Sequence, residues 1–175
     1  MKSEPFVSVI IPTYNSKKLL LNLTKSLEKQ TYSNFEIIVV DDGSTDDTYK
    51  ALKRLKKKNK LKLQILRQNR KGPAAARNLG AKKAKGEILA FTDADCFAPK
   101  EWLRNLIKAY KKFPEVVGVG GPLEPSKNNI FAKIERFKNK YFHKMEKDII
   151  IGKEEVPVGF TNNMSYKASI FKKFG

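Results

Sequence analysis

Between Val7 and about Val119 the sequence alternates short β-branched runs with segments of helical period. That alternation is the pattern of successive βαβ units feeding a mostly parallel sheet. Val7–Ile11 reads as a first strand, and Leu19, Leu20, Leu23 and Leu27 then share one helix face. Phe35–Val40 is apolar enough for a strand buried on both faces. Ser44-Thr45-Asp46-Asp47 predicts a capped helix start with Leu52 and Leu55 inward, and Leu61, Leu63 and Ile65 alternate as a third strand. Pro73 stands at a first helical position, Ala74–Ala84 follows as helix, and Gly86 is expected to close it in a left-handed conformation. Ile88–Phe91 is a fourth strand. Pro99 opens a helix with Leu103, Leu106, Ile107 and Tyr110 inward, and Val116–Val119 is a fifth strand. Beyond it the alternation stops. Ile130, Ile134, Phe137 and Tyr141 predict a long amphipathic helix, then comes an irregular stretch with Val156 and Val158, and Ala168–Phe174 reads as a final helix.

At 175 residues the chain is long enough for one domain with a sizeable core. No apolar stretch approaches the roughly 18–20 residues of a bilayer-spanning helix. The N-terminus carries no export signal pattern. The single cysteine, Cys96, excludes an intramolecular disulfide and reads as a small packing residue, in keeping with a reducing, cytoplasmic setting. Lys and Arg number 36 against 18 Asp and Glu, a formal charge of +18 that suits a phosphorylated ligand, an anionic membrane or nucleic acid without choosing among them.

In open α/β sheets, ligands collect beyond the carboxyl ends of the strands. Pro12-Thr13-Tyr14-Asn15, Asp41-Asp42-Gly43-Ser44 and Thr92-Asp93-Ala94-Asp95 all fall there. If Asp93-Ala94-Asp95 is extended, its two carboxylates face the same way and can share a hard cation, Mg2+ or Mn2+, with substrate phosphate oxygens completing the shell. An ordinary acidic turn has the same composition. Asp41 and Asp42 are adjacent carboxylates that need a positive or hydrogen-donating neighbour to ionise together, and either can accept a bond from a base N–H or a ribose hydroxyl. Ser44 and Thr45 also suit helix caps. Arg77 can bring a cation to the same edge, or lie on the surface. Trp102 reads as core, and His143 as a surface or interface residue.

These segments, with Gly72-Pro73-Ala74-Ala75-Ala76-Arg77-Asn78, stand in an order and spacing that resembles glycosyltransferase family 2. The resemblance covers nearly the whole chain. It implies a GT-A fold, Rossmann-like, with a nucleotide-diphosphate sugar as donor, most often a UDP-sugar, a divalent metal, and inversion at the anomeric carbon. Residues 1–98 would form the nucleotide-sugar part and 99–175 an incomplete acceptor-side part. Position by position, it implies that Pro12, Thr13, Tyr14, Asn15 and Asp41 line the nucleotide, that Asp42 holds the base, and that Arg77 helps bind the nucleotide. Asp93 would meet the ribose or the metal, Asp95 would be the principal metal ligand, and Ala94 would join the substrate-binding residues. Gly159-Phe160-Thr161-Asn162-Asn163 resembles the loop beside donor sugar and acceptor, so Asn162 and Asn163 join the site. The carboxylate base is expected after Gly175.

The acceptor would be a sugar, a lipid-linked glycan or a protein glycan. The helix around Ile130–Met145, with Phe131, Phe137, Phe142 and several lysines, either packs on the sheet or rests on anionic lipid. A nucleotidyltransferase is the enzymatic alternative, but Pro12-Thr13-Tyr14-Asn15 lacks a Gly-rich basic loop. A basic module for nucleic acid or membrane is the non-catalytic one, though nucleic acid is not the expected partner.

Overall fold

The structure, a computed structural model, describes residues 4–58, 61–121 and 161–174. Strands β1 (Val7–Thr13), β2 (Phe35–Asp41), β3 (Leu63–Arg67) and β4 (Ile88–Phe91) alternate with helices α1 (Lys17–Leu27), α2 (Thr48–Lys58) and α3 (Pro73–Lys83). Helix α4 (Trp102–Lys112) and strand β5 (Gly118–Gly120) follow. After a single 3-10 turn at Thr161–Asn163 come β6 (Met164–Lys167) and a last helix, α5 (Ala168–Phe174). The α/β alternation expected from the sequence is present. The amphipathic helix expected around Ile130–Met145, with His143, and the segment carrying Val156 and Val158 lie outside the described residues.

The strands form one six-stranded sheet in the order β3-β2-β1-β4-β6-β5. β1 pairs parallel with β2 and β4, and β2 parallel with β3, whereas β6 runs antiparallel to both β4 and β5. The chain moves outward from β1 to β3 and then crosses to the other side of β1, so the topological switch point lies between β1 and β4. All seven residues of β1 and of β2 are buried, which explains their continuous apolar runs.

Two cores sandwich the sheet. One contains Val9, Ile11, Ile37 and Val39 with Leu20, Leu23 and Leu27 of α1, Leu52 of α2, and Leu103, Leu106, Ile107 and Tyr110 of α4. The other contains Ile10, Ile38, Val40 and Leu89 with Ala76 and Ala81 of α3 and Ala168 of α5. Thus α1, α2 and α4 cover one face and α3 and α5 the other.

Several expectations need correction. Leu19 is 47% exposed, because a residue one position before Leu20 is rotated about 100° from the stripe that Leu20, Leu23 and Leu27 form. The second helix begins at Thr48 rather than at Ser44, and Asp46 Oδ1 accepts the Thr48 N–H at 2.9 Å. The fourth helix begins at Trp102, whose N–H closes a turn onto the Pro99 carbonyl at 2.9 Å, and Gln30 Oε1 accepts the Leu103 N–H at 3.0 Å. Gly86 does not close α3, which ends at Lys83 with Ala84 already extended. Only Gly43 and Gly72 among the described glycines have positive φ. Gly86 is needed for close approach instead, since a Cβ there would stand 2.5 Å from the Ser8 backbone nitrogen. Strand three spans Leu63–Arg67, and β5 is shifted to Gly118–Gly120. β6 was not foreseen: four residues, Met-Ser-Tyr-Lys, are too few and too polar to announce a strand.

Candidate functional site

β1 continues through Pro12 and Thr13, both buried, so these residues belong to the strand and not to the loop after it. The Thr13 carbonyl accepts the Asp42 N–H at 2.8 Å and carries the β1–β2 pairing one step beyond Asp41. The Thr13 hydroxyl oxygen is buried and has no hydrogen-bond partner. Such an atom at a switch point marks a place where a ligand can complete the bonding. Tyr14, half-buried, lies under the Arg70 guanidinium, 4.3 Å from ring centroid to charge centre.

Asn15 has a positive φ of 45°, a conformation that asparagine tolerates better than most residues. Its Oδ1 accepts the Thr45 N–H at 2.9 Å, and its own N–H donates to Ser44 Oγ at 3.0 Å. Ser16 N–H donates to Thr48 Oγ1 at 3.0 Å. Ser44 and Thr48 therefore tie the loop after β1 to the loop after β2, and the side chain of Asn15 is engaged in that tie.

The two adjacent carboxylates have different surroundings. Asp41 is fully enclosed: Oδ1 accepts the Ser44 N–H at 3.2 Å and Oδ2 lies 3.2 Å from Arg67 Nε. Its Oδ2, like the Thr13 hydroxyl, is buried without a hydrogen-bond partner. Asp42 accepts from Gln68 Nε2 at 2.7 Å and from the Lys71 N–H at 2.8 Å on Oδ1, and from the Gly72 N–H at 2.9 Å on Oδ2. Burial pushes the Asp42 carboxyl up, but the Lys71 N–H, the Gln68 amide, the Gly72 N–H and the charge of Arg70 outweigh it and hold the group below its usual range. The hydrogen-donating neighbours demanded by an Asp-Asp pair are thus present. A carboxylate has about four acceptor positions, so this one retains capacity for a further donor.

On α3, Arg77 reaches across to β4: Nη2 meets Asp93 Oδ1 at 2.5 Å, with the side chains 16% and 31% exposed. Arg77 Nε is buried without a partner. Asp93-Ala94-Asp95 is not extended. The Cys96 N–H closes a turn onto the Asp93 carbonyl at 3.0 Å, so the extended-chain argument for two parallel carboxylates does not apply. Ala94 is buried and Asp95 exposed, with the Cys96 thiol 3.8 Å from Asp95 Oδ1. Cys96 is only partly buried; burial pushes its thiol up, and the two neighbouring carboxylates add to that. Among the described residues, no three of His, Cys, Asp and Glu gather to hold a metal by themselves.

Because β6 runs antiparallel to β4 with Phe91 opposite Met164, the Thr161–Asn163 turn sits at the same sheet edge. Asn162 Oδ1 is buried without a partner. Asn163 Oδ1 accepts the Trp102 indole N–H at 2.8 Å, and its carbonyl accepts the Gly121 N–H at 3.1 Å. Trp102 is therefore a half-buried clamp on this turn as well as a packing residue. Gln68 was likewise not anticipated. Its signal is register: Asp41 pairs with Arg67, which places the next residue, Gln68, beside Asp42.

Thr13, Asp42, Arg77, Asp93 and the Asn162-Asn163 turn thus converge on the edge flanking the β1–β4 switch point. The family model "Glycosyl transferase family 2" matches residues 8–175. Over 100 residues, 56% of this chain and 18% of the relative, the sequence is 43% identical to the poly(ribitol-phosphate) beta-N-acetylglucosaminyltransferase TarS of Staphylococcus aureus. The structure resembles the mannosyltransferase PcManGT of Pyrobaculum calidifontis, solved in complex with GDP-Man and Mn2+, with a TM-score of 0.78 at 27% identity, covering 99% of this chain and 48% of that one. It also resembles a TarS fragment of S. aureus in complex with UDP-GlcNAc, with a TM-score of 0.70 at 27% identity over 96% of this chain and 47% of the other. The chain spans less than half the length of these proteins.

Proposed function

The chain belongs to glycosyl transferase family 2, and on that premise we propose that it binds a nucleotide-diphosphate sugar at the carboxyl edge of the sheet. The sugar then passes, with inversion, to an acceptor hydroxyl. The observation that carries this reading is the convergence of the unpartnered Thr13 hydroxyl, the caged Asp42 carboxylate and the Arg77–Asp93 pair around the switch point.

Asp42, kept charged by its N–H donors, accepts a hydrogen bond from the base. Thr13 offers its hydroxyl to the nucleotide, and the Tyr14 ring and the Arg70 guanidinium border the same space. Arg77 holds Asp93, and its charge would meet that of the diphosphate. Asp95 is exposed and Asp93 about one-third so, and their hard oxygen donors suit Mg2+ or Mn2+, with substrate oxygens and water as remaining ligands. When bound, such an ion offsets the charge on the diphosphate leaving group. In the transfer, the acceptor oxygen bonds to the anomeric carbon as the bond from that carbon to the β-phosphate oxygen breaks. The hydroxyl proton passes to a carboxylate base. Asn162 and Asn163 border the sugar, and the acceptor is a glycan hydroxyl, free or carried on lipid or protein.

The test is thermal unfolding with and without UDP-GlcNAc or GDP-mannose and Mn2+. Ligand at about one hundred times its dissociation constant adds roughly 2.7 kcal/mol, which for a domain of this size raises Tm by about 5 °C. One donor is expected to do so, and Arg77→Ala to abolish the shift. No shift with either donor, in a chain with native circular dichroism, would count against the reading.

A further inference from the structure

The loop after β3 brings a second arginine to the carboxyl edge. Arg70 is exposed, and its guanidinium lies over the half-buried Tyr14 ring, 4.3 Å from the ring centroid. Among the described residues no carboxylate forms a salt bridge with it. Its backbone, by contrast, is held from both sides, because Gln68 Nε2 and the Lys71 N–H both donate to Asp42 Oδ1, at 2.7 and 2.8 Å. Gly43 closes on it as well, since a Cβ there would stand 3.0 Å from the Arg70 backbone nitrogen. A pinned backbone thus carries a long side chain whose head is in solvent. Tyr14, Asp42 and Arg70 follow β1, β2 and β3, three adjacent strands, whereas Arg77 meets Asp93 beyond β4, on the other side of β1. The two arginines therefore stand toward different ends of a ligand laid across the edge.

We propose that Arg70 closes over the nucleotide base, so that the base lies between the Arg70 guanidinium and the Tyr14 ring with its N–H edge toward Asp42. This contact rests on the nucleotide-sugar reading above and adds to it a residue specific for the base. A separation of 4.3 Å is little more than one van der Waals layer, ~3.5–4 Å between carbons, so guanidinium and ring stand against each other as a cation–π pair. Aromatic rings and guanidinium planes are the two kinds of group on which unpaired bases stack. Lifting the Arg70 head by one further layer admits a base, and the exposed head has room to lift. One contact, Arg70 on Tyr14, is then exchanged for two, and the charge of Arg70 stays beside the Asp42 carboxylate that it helps keep ionised. A phosphate is met instead by the N–H edge of a guanidinium, and the arginine placed beside Asp93 for that purpose is Arg77.

The test is isothermal titration of UDP and of GDP, with Mn2+, into the parent chain, Arg70→Ala and Arg70→Lys near neutral pH, where Asp42 is charged in all three. NMR titration of uridine and guanosine, without metal, accompanies it. The nucleoside diphosphate that the parent binds is expected to lose about tenfold in Arg70→Ala, the scale of a partly desolvated stacking contact. Arg70→Lys keeps the charge but not the plane, and it is expected to stay at least about threefold weaker than the parent. The matching nucleoside, which carries no phosphate, is expected to lose the same factor as the diphosphate. Arg70 is exposed, and circular dichroism verifies that each variant folds. Full recovery in Arg70→Lys, or a nucleoside that binds Arg70→Ala as it binds the parent, would assign Arg70 to the phosphates and overturn the proposal. Equal or tighter nucleotide binding by Arg70→Ala would overturn it too, by showing that the guanidinium merely covers the ring. These outcomes leave the nucleotide-sugar reading standing, whereas a folded parent that binds neither nucleotide overturns both.

Discussion

Asp42 is the residue on which the carboxyl edge of the sheet is organised, because three hydrogen-bond donors from the end of β3 and the start of α3 converge on one carboxylate. Asp42→Ala leaves those donors without an acceptor in a buried place, and hydrogen bonds to a charged group are worth about 1.5–3 kcal/mol. A loss of that order in urea denaturation is expected. Its pH dependence follows from the lowered carboxyl. The stability Asp42 contributes is fully present above its unfolded value, about 3.9, and disappears as pH falls through the lower folded value. The gap between parent and variant should accordingly be constant from pH 5 to 8 and close in strong acid. A gap that widened on acidification would contradict this. The sequence made Asp42 visible as half of an acidic pair, but the difference between it and Asp41 was not legible there. That difference depends on Arg67, Gln68 and the Lys71 and Gly72 amides, which only the β2–β3 register brings near. Trp102 was legible as a packing residue but not as a clamp, for the same reason: its indole N–H meets Asn163, 61 positions away. Trp102→Phe keeps the ring and removes the donor, so it should leave most stability intact while weakening donor binding through the loosened Asn162-Asn163 turn. Unchanged binding would confine Trp102 to packing.

At the scale of elements, strands and helices with apolar continuity were legible, and boundaries set by a distant partner were not. α3 shows why. Its interior Gly80 is a poor helix former, yet a Cβ there would stand 2.6 Å from Ile10 Cγ2 and 3.3 Å from Val40 Cγ2. Gly80→Ala gains about 1 kcal/mol of helix propensity. Overpacking against buried β-branched side chains costs typically 1–3 kcal/mol. Ile10 lies in the central strand and is fully buried, so it has little room to move and the second effect prevails. Gly80→Ala should therefore lower Tm, whereas a rise would show that α3 can slide outward. β6 escaped sequence reading because its four residues obtain their strand conformation from β4 on one side and β5 on the other. The glycines of β5 permit that contact: a Cβ at Gly118 would meet the Tyr166 ring at 3.0 Å.

At the scale of the whole molecule, the parallel sheet and its reversal at β1–β4 bring four loops to one edge. The edge was legible because Pro12-Thr13-Tyr14-Asn15, Asp41-Asp42 and Asp93-Ala94-Asp95 each follow a strand. The geometry within it was not, since Asp93-Ala94-Asp95 folds as a turn and Asp93 is drawn to Arg77. The central claim is that this edge binds a nucleoside diphosphate together with a divalent cation through Asp95. Isothermal titration of UDP and of GDP, each with and without Mn2+, on the parent chain and on Asp95→Ala, tests it most directly. The account predicts that one nucleotide binds, that Mn2+ strengthens it at least tenfold, and that Asp95→Ala removes the Mn2+ dependence while leaving the fold unchanged. Nucleotide binding that ignores both Mn2+ and Asp95→Ala, or none at all by the folded parent, would contradict it.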